Sequence, residues 1–369
     1  MAEPRQPHAA RVPSSLERLH GIFIAARDAE LALETLRKMG LKLDGFRFQR
    51  VGGLVGIPLV RSPSAQDETT FRKELGDFQI KDASFEAFPL RSRNLLDAVR
   101  PVVPPNLLSQ LPRSLDIVGE IAIIELSPKL EPYSREVGEG ILRVSPHVRL
   151  VLKKVSDVAG TFRTRGLQVV AGSGGMETIH REFDCVYRLD VSSVYFNPRL
   201  AHERRRIAEQ VAKGEAVVDM FAGVGPYSIL IAKLQPQSKV YALDINPCAI
   251  KYLKENILAN RVADRVVPTL GDARESRNRL CDTADRVIMN LPSEAGQYLD
   301  VASHILKAAG GHIHFYGFTS RGGALDSERD HFEKVVLSQN RRVRALSYCR
   351  VIKEISPGRV QFAIDAFVE

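Results

Sequence analysis

The spacing of apolar residues changes character along the chain. GIFIAAR (21–27) is a short apolar run of strand type, and AELALETLRKMG (29–40) carries apolar residues at helical spacing, closed by Gly40. FRFQRVGGLVGIPLV (46–60) predicts a hairpin turning at Gly52-Gly53. Residues 61–83 are polar and weakly periodic, as expected of an interdomain linker or a solvent-facing helix. Then LLSQLPRSL reads as helical, DIVGEIAIIEL (116–126) as one buried strand, and a helix is expected around 130–145. RLVLKKV and TIHREFDCVYRLDVSSVYF supply further strands. From 211 onward apolar strand runs alternate with helical stretches, the signature of a doubly wound α/β sheet.

These shifts suggest three domains: 1–83, a small N-terminal α/β domain with its linker; 84–210, a middle α+β domain; and 211–369, a Rossmann-like α/β domain. With 44% hydrophobic and 26% charged residues, disordered, collagenous and coiled-coil classes are excluded. No apolar run approaches the roughly 18 residues of a membrane span. The opening MAEPRQPHAARVPSS lacks a hydrophobic signal core, so a cytoplasmic protein without a membrane partner is expected. Cys185, Cys248, Cys281 and Cys349 lie far apart with no Cys-x-x-Cys pair, which points to neither a metal site nor a disulfide framework. The 52 basic and 44 acidic residues give a net charge of +8, which suits an anionic partner without locating its face.

The candidate chemistry lies after residue 211. AVVDMFAGVGPYSILIAK (216–233) reads as a buried strand, a turn at Gly223-x-Gly225 and a helix starting at Pro226. The next strand, KVYALDIN (239–246), ends at Asp244, about 20 residues beyond the turn, where a carboxylate can accept both ribose hydroxyls of a nucleoside. Asn246-Pro247 then caps the next helix. Two features turn the reading away from a nicotinamide dinucleotide: the turn lacks a third glycine, and Asp219 sits beside it. A pyrophosphate would be repelled there, whereas the ammonium of S-adenosylmethionine would be attracted. Asp272 in TLGDAR is placed either to receive an adenine amino group or to cap a helix. Phe221, Ile245 and Ala273 flank these positions and complete the expected cofactor contacts. DRVIMNLP (285–292) ends in Asn290-Leu291-Pro292, which is either a strand stop or a loop that orients a planar nitrogen nucleophile beside the cofactor. The final strands, with a turn at Ser356-Pro357-Gly358, suit a class I methyltransferase better than a dehydrogenase.

VVDMFAGVGPYSI, LDINP, GDAR and DRVIMNLP, in this order, closely resemble the archaeal and eukaryotic tRNA (guanine-N1)-methyltransferases that modify position 37. The resemblance extends upstream through GTFRTRGLQVVAG, TIHREFDCVYRLDV and VYFNPRLAHERRRIA, covering about 110–369; the first eighty residues are only loosely similar. It implies S-adenosylmethionine as cofactor, tRNA as partner through the anticodon stem-loop and outer corner, and a monomer. Magnesium is compatible with such chemistry, but no residue pattern announces it.

The reaction so implied needs a general base, because guanine N1 bears a proton. Glu203 matches the family's proposed base, and Arg163 the residue that stabilises negative charge on O6. Tyr195 and Pro292 would frame a base extruded from its stack, and Asn290 would contact its edge. Without the resemblance, Glu203 reads as a helix-surface carboxylate paired with Arg206 or Arg199, and Arg163 as a phosphate contact. Arg204, Arg205, Arg206, Arg341, Arg342, Arg344 and Arg350 either meet tRNA phosphates or form a solvated basic face. Competing readings are the wybutosine-pathway aminocarboxypropyl transferase, against which Asn290-Leu291-Pro292 argues, and a bifunctional enzyme that also methylates the tricyclic intermediate. A non-catalytic tRNA-binding protein and a nicotinamide dehydrogenase fit less well.

Overall fold

A computed structural model describes residues 16–87, 94–112, 114–156, 160, 162, 165–323, 325–356 and 358–369. Contacts divide the chain into two compact units, Met1–Ser92 and Arg93–Glu369.

In the first unit, β1 (Leu16–Ala25), α1 (Ala29–Lys38), β2 (Gln49–Val51), β3 (Leu54–Pro58), α2 (Ala65–Leu75) and β4 (Phe78–Glu86) follow in order. The antiparallel sheet runs β2-β3-β1-β4. The hairpin forms at Gly52-Gly53, where both glycines take the positive φ that a tight two-residue turn demands. Of the two readings of residues 61–83, the solvent-facing helix is realised and the linker is not, with the start of a strand following it. Ser64 and Asp67 form a reciprocal capping box that starts α2, and α2 buries Phe71 and Leu75 against Ile22, Ile24 and Leu36. β4 pairs with β1 from Leu16↔Glu86 to Ile24↔Phe78, so the expected boundary after residue 83 would cut a strand. The segment looked featureless because α2 buries only two side chains and β4 is an exposed edge.

The second unit begins with α3 (Leu95–Val99), β5 (Asp116–Val118), β6 (Ile121–Ile124), α4 (Ser134–Val144), β7 (Leu150–Lys154) and β8 (Leu167–Gly172). These strands make a sheet in the order β5-β6-β7-β8. DIVGEIAIIEL is thus a hairpin and not one strand: Gly119, at φ 57°, turns the chain, and a Cβ there would meet the Ile179 carbonyl at 2.5 Å. A second hairpin, β9 (Glu177–Glu182) and β10 (Cys185–Asp190), turns at Phe183-Asp184.

There follow α5 (Ala201–Gln210), β11 (Ala216–Asp219), α6 (Pro226–Leu234), β12 (Lys239–Asp244), α7 (Pro247–Ala259), β13 (Val266–Leu270), β14 (Arg286–Met289), α8 (Leu299–Ile305), β15 (Gly311–Ser320), α9 (Leu325–Ser338), β16 (Val343–Ser356) and β17 (Arg359–Val368). The sheet order is β13-β12-β11-β14-β15-β17-β16, with β17 antiparallel to both neighbours. This is the expected class I methyltransferase sheet. Its order reverses between β11 and β14, so their carboxyl ends flank the crevice where such sheets bind ligands.

Asn256 on α7 and Asn260, which caps its end, hold the β9–β10 hairpin. Asn256 exchanges hydrogen bonds with the Arg188 N–H and C=O, and Asn260 does the same at Val186. The edge of β10 is thereby satisfied without a further strand. One apolar core contains Ile121, Leu150, Tyr187, Val217 and Ile229, so packing is continuous across residue 210. Among the described residues no helix is long and apolar enough to cross a membrane.

Candidate active site

The site is built on strand ends. Val217 and Val218 are buried on opposite faces of β11, which delivers Asp219 to the crevice fully buried. Ser228 donates to its Oδ2 at 2.7 Å, while Oδ1 is buried with no hydrogen-bond partner. Burial raises its pKa to about 7, and the neighbouring Asp244 charge adds to this against the hydrogen bond from Ser228. A buried carboxylate with one free oxygen fits a ligand ammonium.

The chain then turns at Gly223 and Gly225, with φ 55° and 91°. A Cβ on Gly225 would lie 2.4 Å from Leu253 Cδ1, so the turn packs closely onto α7. Asp244, at the end of β12, accepts from the Gly223 N–H at 2.7 Å and the Asn246 N–H at 2.9 Å. Burial raises its pKa although these backbone donors oppose it. Asp219, Gly223 and Asp244 therefore stand together, as their spacing predicts. Ile245 is exposed beside them.

Asp272 caps the short turn of Ala273–Ser276 through the Arg274 N–H and also pairs with the Arg274 guanidinium at 3.1 Å. The capping role is realised. Arg274 lies over the Tyr298 ring, whose edge meets Phe221 with centroids 5.0 Å apart, so these three side chains pack together. On the other side, Asn290 follows β14 directly, and its Oδ1 is buried without a partner. Two orphaned oxygens, on Asp219 and Asn290, thus stand at the ends of adjacent strands. In a native core such atoms are few, and a bound ligand or water would satisfy them.

The segment before α5 reaches the same place. Asn246 donates to the Ser193 carbonyl, and the Tyr195 carbonyl lies 3.8 Å from where a Gly223 Cβ would stand. Tyr195 is 37% exposed, beneath the Arg165 guanidinium, with its hydroxyl accepting from Asn197. Arg163 lies outside the described residues.

Glu203, on the first turn of α5, has a side chain only 10% exposed. It is not a surface carboxylate, although its pairing with Arg206 is the one foreseen: Arg206 donates to Oε2 at 2.9 Å and to Oε1 at 2.7 Å. Arg199 pairs with Asp116 instead. The Tyr316 hydroxyl donates to Glu203 Oε1 at 2.7 Å. Tyr316 and Asn290 each lie one residue past the paired Met289↔Phe315, so Glu203 is tied to the position beside Asn290.

Behind Glu203 runs a buried polar chain that the sequence reading missed. Arg206 also contacts Asp365, which hydrogen-bonds His314 Nδ1 at 2.8 Å. His314 Nε2 meets Arg286 at 2.6 Å, and Arg286 is paired with Glu215. Burial lowers the His314 pKa despite Asp365, so the ring is neutral, donating from Nδ1 and accepting at Nε2. Burial would raise the Asp365 pKa, but His314 and Arg206 hold it well below the usual carboxylate range. The available signal was a histidine and an aspartate inside the apolar runs GGHIHFYGF and GRVQFAIDAFV.

The basic run is likewise not one face. Arg204 is 2% exposed and forms a two-pronged ion pair with Glu182, and Arg206 is committed to Glu203 and Asp365. Neither is free for phosphate, and Arg341 is spent on the Leu306 and Lys307 carbonyls. Arg205, Arg342, Arg344 and Arg350 are exposed. Among the described residues no cluster of three His, Cys, Asp or Glu side chains is placed to hold a metal ion.

Comparison with known proteins agrees with this geometry. Residues 178–344 match the TRM5/TYW2 methyltransferase domain and residues 95–175 the TYW2 N-terminal domain. The chain is 39% identical over 344 residues to the tRNA (guanine(37)-N(1))-methyltransferase Trm5b of Pyrococcus abyssi, spanning 93% of this chain and 97% of that protein. It is 34% identical over 254 residues to the tRNA 4-demethylwyosine(37)-methyltransferase Taw21 of Saccharolobus solfataricus, spanning 69% of this chain and 93% of that protein. The structure of aTrm5 in complex with tRNALeu superposes with a TM-score of 0.77 at 30% identity, covering 94% of this chain and 99% of that one. Strand-end carboxylates, a glycine turn and these matches lead to one conclusion: the chain belongs to the TRM5/TYW2 family of S-adenosylmethionine-dependent methyltransferases.

Proposed function

We propose that this enzyme transfers a methyl group from S-adenosylmethionine to N1 of guanosine 37 in tRNA. The observation that carries the reading is the position of Glu203, a shielded carboxylate tied through Tyr316 to the strand position beside Asn290. The relatedness to Trm5b over nearly the whole of both chains supports it.

S-adenosylmethionine supplies an electrophilic methyl group on a sulfonium centre. Asp219 Oδ1 would receive its ammonium, Asp244 the ribose hydroxyls and Asp272 the adenine amino group. Phe221, Ile245 and Ala273 would line the adenosine. Gly223 and Gly225 keep the backbone open to it. The target base must leave its stack, because N1 lies on the Watson–Crick edge. Tyr195 and Pro292 would frame that base and Asn290 Oδ1 would accept from its edge. Glu203 would take the N1 proton, leaving an electron pair for the new N–C bond, and the methyl–sulfur bond that breaks would leave S-adenosylhomocysteine. Arg163, on the resemblance above, would stabilise the charge that grows on O6. The partner is tRNA, met through its anticodon stem-loop and outer corner by a monomeric, cytoplasmic enzyme, with Arg205, Arg342, Arg344 and Arg350 contacting phosphates.

Digestion of tRNA methylated by the purified protein, followed by mass spectrometry of the nucleosides, should yield 1-methylguanosine. Tight binding of both substrates without transfer would instead mark a tRNA-binding protein. The match to Taw21 over 93% of that relative's length favours a second activity on 4-demethylwyosine at the same position. Label transferred to tRNA carrying that base would establish it, and no transfer would confine the enzyme to guanosine.

A further inference from the structure

A carboxylate offers about four acceptor sites, two on each oxygen. Three of those on Glu203 are occupied: Oε1 accepts from the Tyr316 hydroxyl and from Arg206 Nη2, and Oε2 accepts from Arg206 Nε. We infer that Tyr316, and Arg206 backed by Asp365, are positioning residues that turn the one remaining acceptor site of Glu203, on Oε2, toward the guanine N1 proton. The inference rests on Glu203 being the base.

The donors are themselves fixed. Tyr316 is fully buried and accepts from the Tyr227 hydroxyl at 3.2 Å, and Tyr227 stands on the first turn of α6, next to the cofactor turn. Burial pushes the Tyr316 hydroxyl well above its ordinary pKa, so it stays a donor at any working pH. Arg206 is held on its far side by Asp365, and Asp365 by neutral His314, whose second nitrogen accepts from Arg286. The Tyr348 ring covers the Arg206 guanidinium at 4.0 Å. A long glutamate side chain on a helix surface samples several rotamers; here strands β15 and β17 and helix α6 restrict it to one. Such fixation serves catalysis because a misplaced base loses rate without losing substrate affinity. The arrangement also sets where the proton goes. It leaves N1 for Oε2, while Oε1, by then the carbonyl oxygen of a neutral acid, keeps its two donors.

The test is a double-mutant cycle on single-turnover methylation of tRNA by the full-length protein, with cofactor affinity measured in parallel. Tyr316→Phe removes one hydroxyl from a ring that otherwise stays packed, and should lower the rate constant at least about tenfold with S-adenosylmethionine affinity within about twofold of the parent. In a Glu203→Gln background the same change should cost less than about twofold, since there is no longer a base to aim. Equal losses in both backgrounds would make Tyr316 structural and overturn the inference. Asp365→Asn gives a second, nearly isosteric cycle through Arg206, with the same expectation and the same contrary result. If Tyr316→Phe keeps the parent rate while Glu203→Gln loses it, the positioning role falls and the base survives. If Glu203→Gln itself keeps the parent rate, the base assignment falls and this inference falls with it.

Discussion

Asp219 is the residue whose environment speaks most directly to ligand charge. Its pKa lies raised from 3.8 to about 7, so the ionised form is disfavoured in the folded protein without a ligand. The sign for stability follows: its contribution is fully present below about pH 4 and is lost as pH rises through about 7. A cation bound at Oδ1 reverses the preference and expels the proton. S-adenosylmethionine binding should therefore release close to one proton at pH 6, read as a dependence of calorimetric enthalpy on the buffer's ionisation enthalpy. Buffer-independent enthalpy at pH 6 would remove Asp219 as the ammonium partner. Asp244→Ala should weaken the cofactor at least about tenfold while tRNA affinity stays put, and equal cofactor affinity would sink the ribose assignment. Asp219, Asp244 and Asn290 were legible in the sequence because each closes an apolar strand run, and Gly223 because it turns the chain after one; strand ends on one sheet edge must meet. The hydroxyl on Glu203 and the carboxylate behind Arg206 were not, since Tyr316 lies 113 residues from Glu203 and Asp365 lies 159 from Arg206, and only the sheet brings them to α5.

At the level of elements, the hairpin of β9 and β10 shows how a side chain can replace a strand. Asn256 is 1% exposed and serves the Arg188 N–H, the Arg188 carbonyl and the Val224 carbonyl together. Asn256→Ala leaves these groups unpaired and should destabilise the protein by roughly 2–4 kcal/mol. Denaturant unfolding checks this: a lower midpoint at unchanged slope is expected, and a shift below about 0.5 kcal/mol would mean that water replaces the asparagine. The sequence readily showed β11, β12, β14 and the helices between them, because buried parallel strands are continuous apolar runs. It misjudged 116–126, where Gly119 splits an apolar run into two strands. In 61–83 it offered a solvent-facing helix beside a linker but missed the strand that follows, an edge strand with too few buried residues to betray itself. In both places pairing partners, which periodicity does not reveal, decide the structure.

For the whole molecule, each compact unit carries a separate core, with Ile22, Leu36, Ile57 and Phe71 in the first and the remaining clusters in the second. A fragment of residues 93–369 should therefore unfold cooperatively and still bind S-adenosylmethionine, as calorimetry can show; loss of cooperative unfolding would mean that the units depend on each other. The net charge of +8 and the exposed Arg205, Arg342, Arg344 and Arg350 belong to the same scale. Affinity for tRNA should fall steeply and linearly in a log–log plot against salt, whereas cofactor affinity should barely change. The most direct test of the central claim is a paired assay with labelled S-adenosylmethionine and two tRNA transcripts that differ only in guanosine or adenosine at position 37. Label confined to the guanosine transcript and recovered as 1-methylguanosine is the predicted result. Equal labelling of both transcripts, or label on another nucleoside, would contradict it.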